Sequence, residues 1–463
     1  MSEFLFREDT IAALSTPVGR GAIGIVRVSG PDSFRIVSTL WQGPSLKDLP
    51  LRTLTLGKLK TPAGDLLDEA MIARMVGPNS YTGEDLVELH CHGNPHLLRD
   101  ILVDLVAAGA RPAEPGEFTF RAFRNGRMSL LQAESVADLI EAKGEWARKN
   151  ALATLAEEGD RWVRELLDSL LEIWVPIEAD LEFPTDDLDS LRLSDYTAPL
   201  QALLKKMRDL ENRASRYSKL QEGYRVVLAG APNVGKSSLL NALLGYNRAL
   251  VTDIPGTTRD TLEEVFEIEG IPIRLVDTAG LGEARDTLDA AGMERSRDAL
   301  ARADLAVAIL DLSLIGPPDE SLTPSDFLPG GETSTSCPFI LVGNKVDLLP
   351  QDSEWRRQND LALVSAKEGA GLEDLINKMG QVLQDSGGVD LDERTMLNAR
   401  QAKALGQASG ALERALENIE TCAPQELVAT DLIDAKNALE ELSGKSIRLD
   451  LMESIFSRFC IGK

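Results

Sequence analysis

Cysteine is scarce and scattered. The 463-residue chain holds four, Cys91, Cys337, Cys422 and Cys460, and no two form a CxxC pair. Neither a disulfide framework nor a zinc finger is indicated, and reduced thiols are expected. Histidine is scarcer: all three lie in His90-Cys91-His92-Gly93-Asn94-Pro95-His96. Two histidines two apart on an extended segment point the same way, which admits a metal. Spacing fixes no further ligand, however, and Gly-Asn-Pro is turn chemistry, so the competing reading is the polar end of a strand leading into a helix. No apolar run approaches the roughly 20 residues of a membrane span. The first residues, Met1 to Asp9, have no basic region leading into an apolar stretch, so a secretory signal is not expected and a cytoplasmic location is. Positive charge is in deficit, with 49 Lys and Arg against 74 Asp and Glu and a net charge of -25. That disfavours indiscriminate adhesion to nucleic acid, and any RNA contact has to be local.

What is present is a multidomain pattern. Apolar residues at 43% and charged residues at 27% fit a globular chain of about three domains. Residues 1–119 are rich in β-branched residues, glycine and proline, with short or alternating apolar runs at Gly24 to Val28, Leu51 to Leu59 and Glu69 to Val76; an α+β domain with one helix from Pro95 to Ala108 is expected. The texture then turns helical over Ser129 to Ala142, Ala147 to Leu155 and Trp162 to Ile177, with Pro176 and Pro184 as punctuation. Leu200 to Leu220 carries Lys205, Lys206, Arg208, Arg213, Arg216 and Lys219, which is either a solvated face or an RNA contact. Residues 221–384 alternate apolar strands with helices, as a doubly wound parallel sheet does, with a hairpin at Val265 to Val276 and a long loop between Gly316 and Pro338. Helical stripes return in 385–463. One α-helical domain, 120–220 plus 385–463, interrupted by an inserted α/β domain, is the economical inference.

The inserted segment carries the chemistry. Arg225 to Leu244 contains Gly230-x-x-x-x-Gly235-Lys236-Ser237 between an apolar run and a helical stripe. The glycines let backbone N–H groups turn toward a phosphate, Lys236 neutralises β- and γ-phosphates, and the Ser237 hydroxyl is a hard ligand for Mg²⁺. Asp277-Thr278-Ala279-Gly280 follows a strand; Asp277 can hold the Mg²⁺ water shell and the Gly280 N–H can meet a γ-phosphate. Asp347 of Asn344-Lys345-Val346-Asp347 can accept two N–H bonds from guanine, and Ser365-Ala366-Lys367 completes the base pocket. Val251 to Asp260 reads as a mobile switch loop in which Thr258 or Thr257 reaches Mg²⁺. Leu281 stands where many small GTPases place a water-orienting glutamine, which leaves Glu283, Asp286 and Asp289 as candidate acids. The ordered motifs read as a GTPase, with GTP and GDP as ligands.

At this point the residues match a family. Thr16-Pro17, Gly19-Arg20-Gly21, Gly77-Pro78-Asn79-Ser80-Tyr81-Thr82-Gly83-Glu84-Asp85, Arg111 to Phe118, Gly256-Thr257-Thr258-Arg259-Asp260 and Phe459-Cys460-Ile461-Gly462-Lys463 together resemble the bacterial tRNA modification GTPase family MnmE, also called TrmE. The resemblance implies an N-terminal folate-binding domain that dimerises, the discontinuous helical domain and an inserted Ras-like P-loop domain. It implies work with an FAD-dependent partner of the MnmG type, in a heterotetramer or larger complex. Together they would place an aminomethyl or carboxymethylaminomethyl group on carbon 5 of the tRNA wobble uridine. The carbon would come from 5-formyltetrahydrofolate or methylenetetrahydrofolate, with Arg27, Glu88, Arg127 and Lys463 as folate contacts.

By the same resemblance, Asn233, Thr252, Ile254 and Thr257 are K⁺ ligands, and Ser237 and Thr258 hold Mg²⁺. The GTP contacts fall on Asn233, Val234, Gly235, Lys236, Ser237 and Ser238, on Thr252, Asp253, Ile254, Pro255, Gly256, Thr257 and Thr258, on Asp277, Thr278, Ala279 and Gly280, and on Asn344, Lys345, Asp347, Ser365, Ala366 and Lys367. Asp289, with Lys236 and Gly280, is the catalytic candidate; it is one methylene shorter than the glutamate usual in the family. Gly282 replaces a common arginine, and Arg127 a common lysine. Cys460 is either a nucleophile or a packed thiol beside the folate. The alternative function is a ribosome-assembly GTPase acting as a binding switch, for which the acidic chain lacks the expected basic domain.

Overall fold

The computed structural model describes residues 7–142, 144–156, 160–182, 192–247, 263–268, 270–277, 299–314, 337–350, 352–357, 361–387, 397–445 and 449–463. The chain folds into two compact units: 1–140 with 151–208 and 403–463, and 141–150 with 209–402.

The first unit contains a seven-stranded sheet in the order β3-β4-β5-β6-β2-β1-β7. Its main strands are β1 (Ile11–Leu14), β2 (Ile23–Ser29), β4 (Thr55–Lys60), β5 (Leu66–Met75) and β6 (Leu86–His92), and the short edge strands are β3 (Trp41–Gln42) and β7 (Arg111–Pro112). Alternation sets the two faces. Val26, Val28, Leu59, Ala70, Ile72 and Leu89 are buried with α1 (Ser33–Ser38) and α2 (Pro95–Ala107), whose Leu98, Ile101 and Leu105 supply the helical stripe. The opposite face keeps Arg27, Glu88 and His90 partly open and Leu56 and Met71, which pair across β4 and β5, exposed.

The histidine stretch is the strand end that one sequence reading expected. β6 stops at His92, and the Asn94 side chain caps α2 by accepting from the His96 N–H at 2.9 Å, the usual role of asparagine at a helix start. His92 is bonded by its ring and backbone to Asp68, at 2.7 and 2.8 Å. Among the described residues no group of three His, Cys, Asp or Glu side chains is placed to hold a metal.

The helices of this unit include α3 (Glu117–Arg124), α4 (Leu130–Glu141), α6 (Arg161–Glu182) and helices Gln425–Ser443 and Leu449–Phe456. α6 runs through Pro176, as the expected helical stretch to Ile177 does, and continues to Glu182. Its stripe of Val163, Leu166, Leu170, Ile173 and Ile177 faces the stripe of Val428, Leu432, Leu439 and Leu442. Each buried leucine or isoleucine contributes roughly 1.5–3 kcal/mol, comparable to the roughly 3 kcal/mol that an interior proline costs. Phe456 packs edge-on to Phe120, 5.3 Å between ring centres, fixing the last helix against α3. Lys205, Lys206 and Arg208 are exposed on α7 (Thr197–Glu222), and Arg208 pairs with Glu413; the side chains of Arg213, Arg216 and Lys219 lie outside the described residues.

The second unit is built on a six-stranded sheet in the order β13-β12-β11-β8-β10-β9. β8 (Tyr224–Ala229), β10 (Ile271–Asp277), β11 (Leu305–Asp311), β12 (Phe339–Asn344) and β13 (Leu361–Leu363) run parallel, and β9 (Glu263–Ile268) pairs antiparallel to β10 as the expected hairpin. The parallel strands are almost wholly apolar because both faces are covered. α8 (Lys236–Asn247) and helix Leu372–Gly387 supply Leu239, Leu243, Leu375 and Met379 to the core.

An unforeseen member of this core is Trp146, at the start of α5 (Glu145–Leu155). Its backbone N–H meets the Gly270 carbonyl at 3.4 Å, and the Glu145 N–H meets Glu267 Oε1 at 3.3 Å. Segment 141–150 therefore belongs to the nucleotide-site unit by packing. The expected loop between Gly316 and Pro338 lies almost wholly outside the described residues.

Candidate functional sites

In a parallel sheet the strand ends gather ligand groups on one edge. The ends of β8, β11, β12 and β13 deliver Gly230, Asp311, Asn344 and Ser365 there. α8 opens directly on Lys236. Gly235 has φ 100°, and a Cβ on it would collide with the Asn344 side-chain nitrogen, so only glycine lets the loop approach β12 this closely. Asn344 is 2% exposed. It donates to the Val234 carbonyl at 2.9 Å and accepts from the Ala366 N–H at 3.1 Å, so one buried amide joins the phosphate loop to the base loop. Lys236 Nζ donates to the Gly230 and Ala231 carbonyls at 2.9 and 3.0 Å. Ser237 and Ser238 are exposed beside it.

The base side is preorganised in the same way. The Ser365 hydroxyl, itself 1% exposed, donates to Asp347 Oδ1 at 2.7 Å and accepts from the Glu368 N–H at 3.1 Å. That bond orients the Asp347 carboxylate and leaves Oδ2 as an acceptor. A cavity of about 360 Å³ runs from Gly235 and Ser238 past Lys345 and Asp347 to Leu348 and Lys367, so phosphate-loop and base-loop residues line one space. Thr252, Asp253, Ile254, Pro255, Gly256, Thr257, Thr258, Thr278, Ala279, Gly280, Glu283, Asp286 and Asp289, with the Asp277 side chain, lie outside the described residues. Asp311, Ser313 and Leu348 were missed from sequence. A carboxylate ending an otherwise apolar strand, Leu305 to Leu310, was the available signal for Asp311.

A second site lies on the open sheet face of the other unit. Register places Arg27 opposite Glu88 on neighbouring strands, so the two side chains meet. Glu88 Oε1 accepts from Arg27 Nη2 at 2.7 Å and Nε at 3.1 Å, and His90 Nε2 lies 3.5 Å from Oε2. The guanidinium also lies 5.1 and 5.6 Å from the ring centres of Tyr81 and Phe118, within cation–π range.

The chain's last residues close this site. The Gly462 carbonyl accepts from Ser15 Oγ at 3.1 Å and from Arg27 Nη1 at 3.4 Å, and the Lys463 carbonyl accepts from the Phe118 N–H at 3.2 Å. Gly462 has φ 92°, and a Cβ there would collide with the Leu14 carbonyl. The Lys463 amine is pushed below its ordinary pKa by burial and by the Arg27 charge, with Glu88 opposing. Cys460 is exposed in the same tail, its carbonyl accepting from the Lys463 N–H at 3.3 Å. Arg127 is exposed and donates to the Ser80 carbonyl at 3.1 Å, one residue from Tyr81. Arg27, Glu88 and Lys463 are thus together, and Arg127 is linked through the loop that carries Tyr81. Tyr81, Phe118, Ser15 and Gly462 were not singled out as site residues from sequence.

Family profiles match two successive stretches of the chain. A profile for the GTP-binding protein TrmE N-terminus matches residues 10–127, and one for the MnmE helical domain matches residues 130–460. A tRNA modification GTPase MnmE from Symbiobacterium thermophilum is 41% identical over 98% of this chain and 100% of its own length. The chain belongs to the MnmE family. The Aquifex aeolicus MnmE is 40% identical over 98% of the chain and 100% of its own length. The solved G domain of FeoB from Methanococcus jannaschii is 25% identical, covering 35% of this chain and 99% of that one at a TM-score of 0.26, a score that adds nothing to the topology above. As in the family, the chain is multidomain, with an α+β N-terminal domain, an α-helical domain and an α/β P-loop GTPase domain. Among the described residues no helix is long and apolar enough to cross a membrane.

Proposed function

We propose that this MnmE-family chain is a K⁺-activated GTPase whose hydrolysis drives modification of the tRNA wobble uridine at carbon 5, together with an FAD-dependent partner of the MnmG type. The observation that carries the GTP part is the preset Asp347 carboxylate. Ser365 bonds one oxygen, and Asp347 lines a cavity shared with the phosphate loop, an arrangement suited to the paired N–H groups of guanine. Lys236 would meet the β- and γ-phosphates, and the exposed Ser237 hydroxyl, next to Lys236 at the helix start, fits Mg²⁺ as a hard oxygen donor. Thr258 would be the second Mg²⁺ ligand.

Asn233 fits a K⁺ role. Its carbonyl is engaged by Lys345 at 3.2 Å, so the exposed side chain is what it has to offer. Thr252, Ile254 and Thr257 would complete the set. A cation there supplies positive charge near the β–γ bridge, where an arginine would otherwise act. Asp289 would orient the attacking water, and the Gly280 N–H would face the γ-phosphate.

In the other unit, Arg27, Glu88 and Lys463 suit a tetrahydrofolate. Glu88 offers an acceptor to a pterin edge, and the cations, with Arg127, suit a glutamate tail. The bound folate would supply the one-carbon unit. Exposed Leu56 and Met71 on the same sheet face support a homodimer formed through this domain. A discontinuous helical domain, 120–220 plus 385–463, would connect it to the GTPase domain, 221–384, in a cytoplasmic complex with the flavoprotein and tRNA.

Two measurements test the reading. GTP turnover should be much faster in K⁺ than in Na⁺, and equal slow rates would remove the potassium part. Mass spectrometry of wobble nucleosides from cells lacking the protein should show the carbon-5 group missing; its persistence would sink the modification role.

A further inference from the structure

Asp311 is a buried carboxylate, 3% exposed, that none of the nucleotide motifs contains. Its two oxygens are divided between two tasks. Oδ1 accepts from the Ser313 N–H at 3.0 Å and the Ser313 hydroxyl at 2.6 Å. Oδ2 accepts from the Lys345 ammonium at 2.5 Å. The same ammonium donates to the Asn233 carbonyl at 3.2 Å. Asn233 and Lys345 both sit at φ 66°, a left-handed conformation that asparagine adopts readily but that a lysine keeps only where its surroundings impose it.

We propose that Asp311, oriented by Ser313, is a positioning residue for the nucleotide: it aims the Lys345 ammonium at the Asn233 carbonyl and so holds the base loop and the phosphate loop in register before GTP or GDP arrives. Without the carboxylate, a flexible lysine that is one-third exposed has no fixed direction, and the phosphate-loop turn at Asn233 loses its restraint. The nucleotide would then have to order both loops itself, which weakens binding without touching a nucleotide contact. Burial pushes the Asp311 carboxyl up, but the bonds from Lys345 and Ser313 outweigh it and hold it below the usual carboxylate range, consistent with a permanently ionised clamp. Asn233 sits at one end of this chain of bonds, so Asp311 also indirectly supports the residue proposed to hold K⁺.

The test uses the full chain and a fluorescent GDP analogue. Asp311→Asn keeps the shape and an acceptor for Ser313 but removes the charge. It should raise the dissociation rate of the analogue about tenfold, the scale of one charge-assisted bond, with the preference for guanine over xanthine unaltered because Asp347 is intact. In a Lys345→Ala background, the same replacement should add nothing further. A purely structural role would instead lower the melting temperature and weaken binding whether or not Lys345 is present. Unchanged release from Asp311→Asn, effects that add across the two replacements, or a Lys345→Ala chain that holds the analogue at full strength would each overturn the proposal. Should Asp311→Asn fail to fold, Ser313→Ala gives a smaller effect that must likewise vanish in the Lys345→Ala background, and its persistence there would be equally fatal. Weakened guanine binding with a gain for xanthine in Asp347→Asn, with Asp311 intact, reports on the base pocket, so the two failures are separable.

Discussion

The two sites are assembled over very different distances along the chain. In the nucleotide site, short motifs at the ends of parallel strands each carry several of the needed atoms, and the sheet brings the motifs to one edge. The tail-closed site instead joins Arg27 to Gly462 across 435 positions and Ser15 to Gly462 across 447. A motif of contiguous residues is robust to what happens elsewhere, because the local turn fixes most of its geometry. A site closed by the chain's last residues depends on every helix that steers the tail back, down to the stacking of Phe456 on Phe459, with ring centres 5.5 Å apart.

The comparison predicts different responses to small changes. The largest expected effect is on the local site: Asp347→Asn should cost roughly a thousandfold in GTP affinity, from two bonds to a charged group of about 1.5–3 kcal/mol each. Xanthosine triphosphate should recover most of it. Competition binding with the two nucleotides checks this, and unchanged GTP affinity refutes the base-pocket assignment. The tail-closed site should not notice the replacement at all.

Trp146 tests whether the local site is really local. The residue is 6% exposed within a core that includes Val226, Leu228 and Ile273, yet it comes from a segment far upstream of the phosphate loop. Trp146→Ala should destabilise that unit by about 3–5 kcal/mol through the cavity it leaves, with Trp146→Phe recovering a good part. Calorimetry of the full chain should move the transition that bound GDP also raises; an unmoved transition would mean that segment 141–150 is dispensable to the core.

Gly462→Ala sharpens the contrast from the other side. The residue sits at positive φ, and a Cβ on it would fall against the Leu14 carbonyl, so a methyl must displace one of the two segments, at a cost on the order of 1–3 kcal/mol. Binding of 5-formyltetrahydrofolate, followed by calorimetry, should weaken about tenfold or more by the same scale, while intrinsic GTP affinity stays put. Equal losses at both sites would mean that they are coupled even without partner or hydrolysis.

This contrast also governs what could be read from the sequence. Gly230-x-x-x-x-Gly235-Lys236-Ser237, Asn344 to Asp347 and Ser365 to Lys367 were legible because each is a short run of neighbouring residues, and the structure brings all three to one cavity. The strands carrying them were legible because burial on both faces makes a continuous apolar run. The bond of Arg27 with the Gly462 carbonyl has no local trace; only the family resemblance suggested that Lys463 belonged with Arg27 and Glu88. Trp146 reads as one more apolar position on a helix, and its destination is a tertiary fact. Pro176 is tolerated inside α6 for a reason that is not local: the stripe that carries the helix past it is satisfied by a helix some 250 residues later, near Gln425, whose side chain donates to the Ile177 carbonyl at 3.1 Å.

The smallest expected effect concerns the ion network behind the tail-closed site. Arg121, 1% exposed, pairs with Asp9 at 2.7 Å, Glu117 at 2.9 Å and Glu84 at 3.1 Å, and Arg111 joins Asp9 to Glu117. Glu84 lies in the loop that carries Tyr81, so the network braces the wall of that site. Burial would raise the Asp9 carboxyl, but bonds and charge from Arg111 and Arg121 outweigh it and lower it to about 2, from an ordinary value near 3.9. Because the folded value is the lower one, the ionised carboxylate stabilises the fold fully above about pH 4, and that contribution is lost as pH falls toward 2. Asp9 is one-third exposed, which limits the contribution to about 1 kcal/mol or less after solvent screening. Urea midpoints of the parent chain and Asp9→Asn, compared between pH 6 and about pH 2.5, should differ most at the upper end and converge on acidification. A gap that stays constant with pH would mean that Asp9 acts by shape or hydrogen bonding rather than by charge.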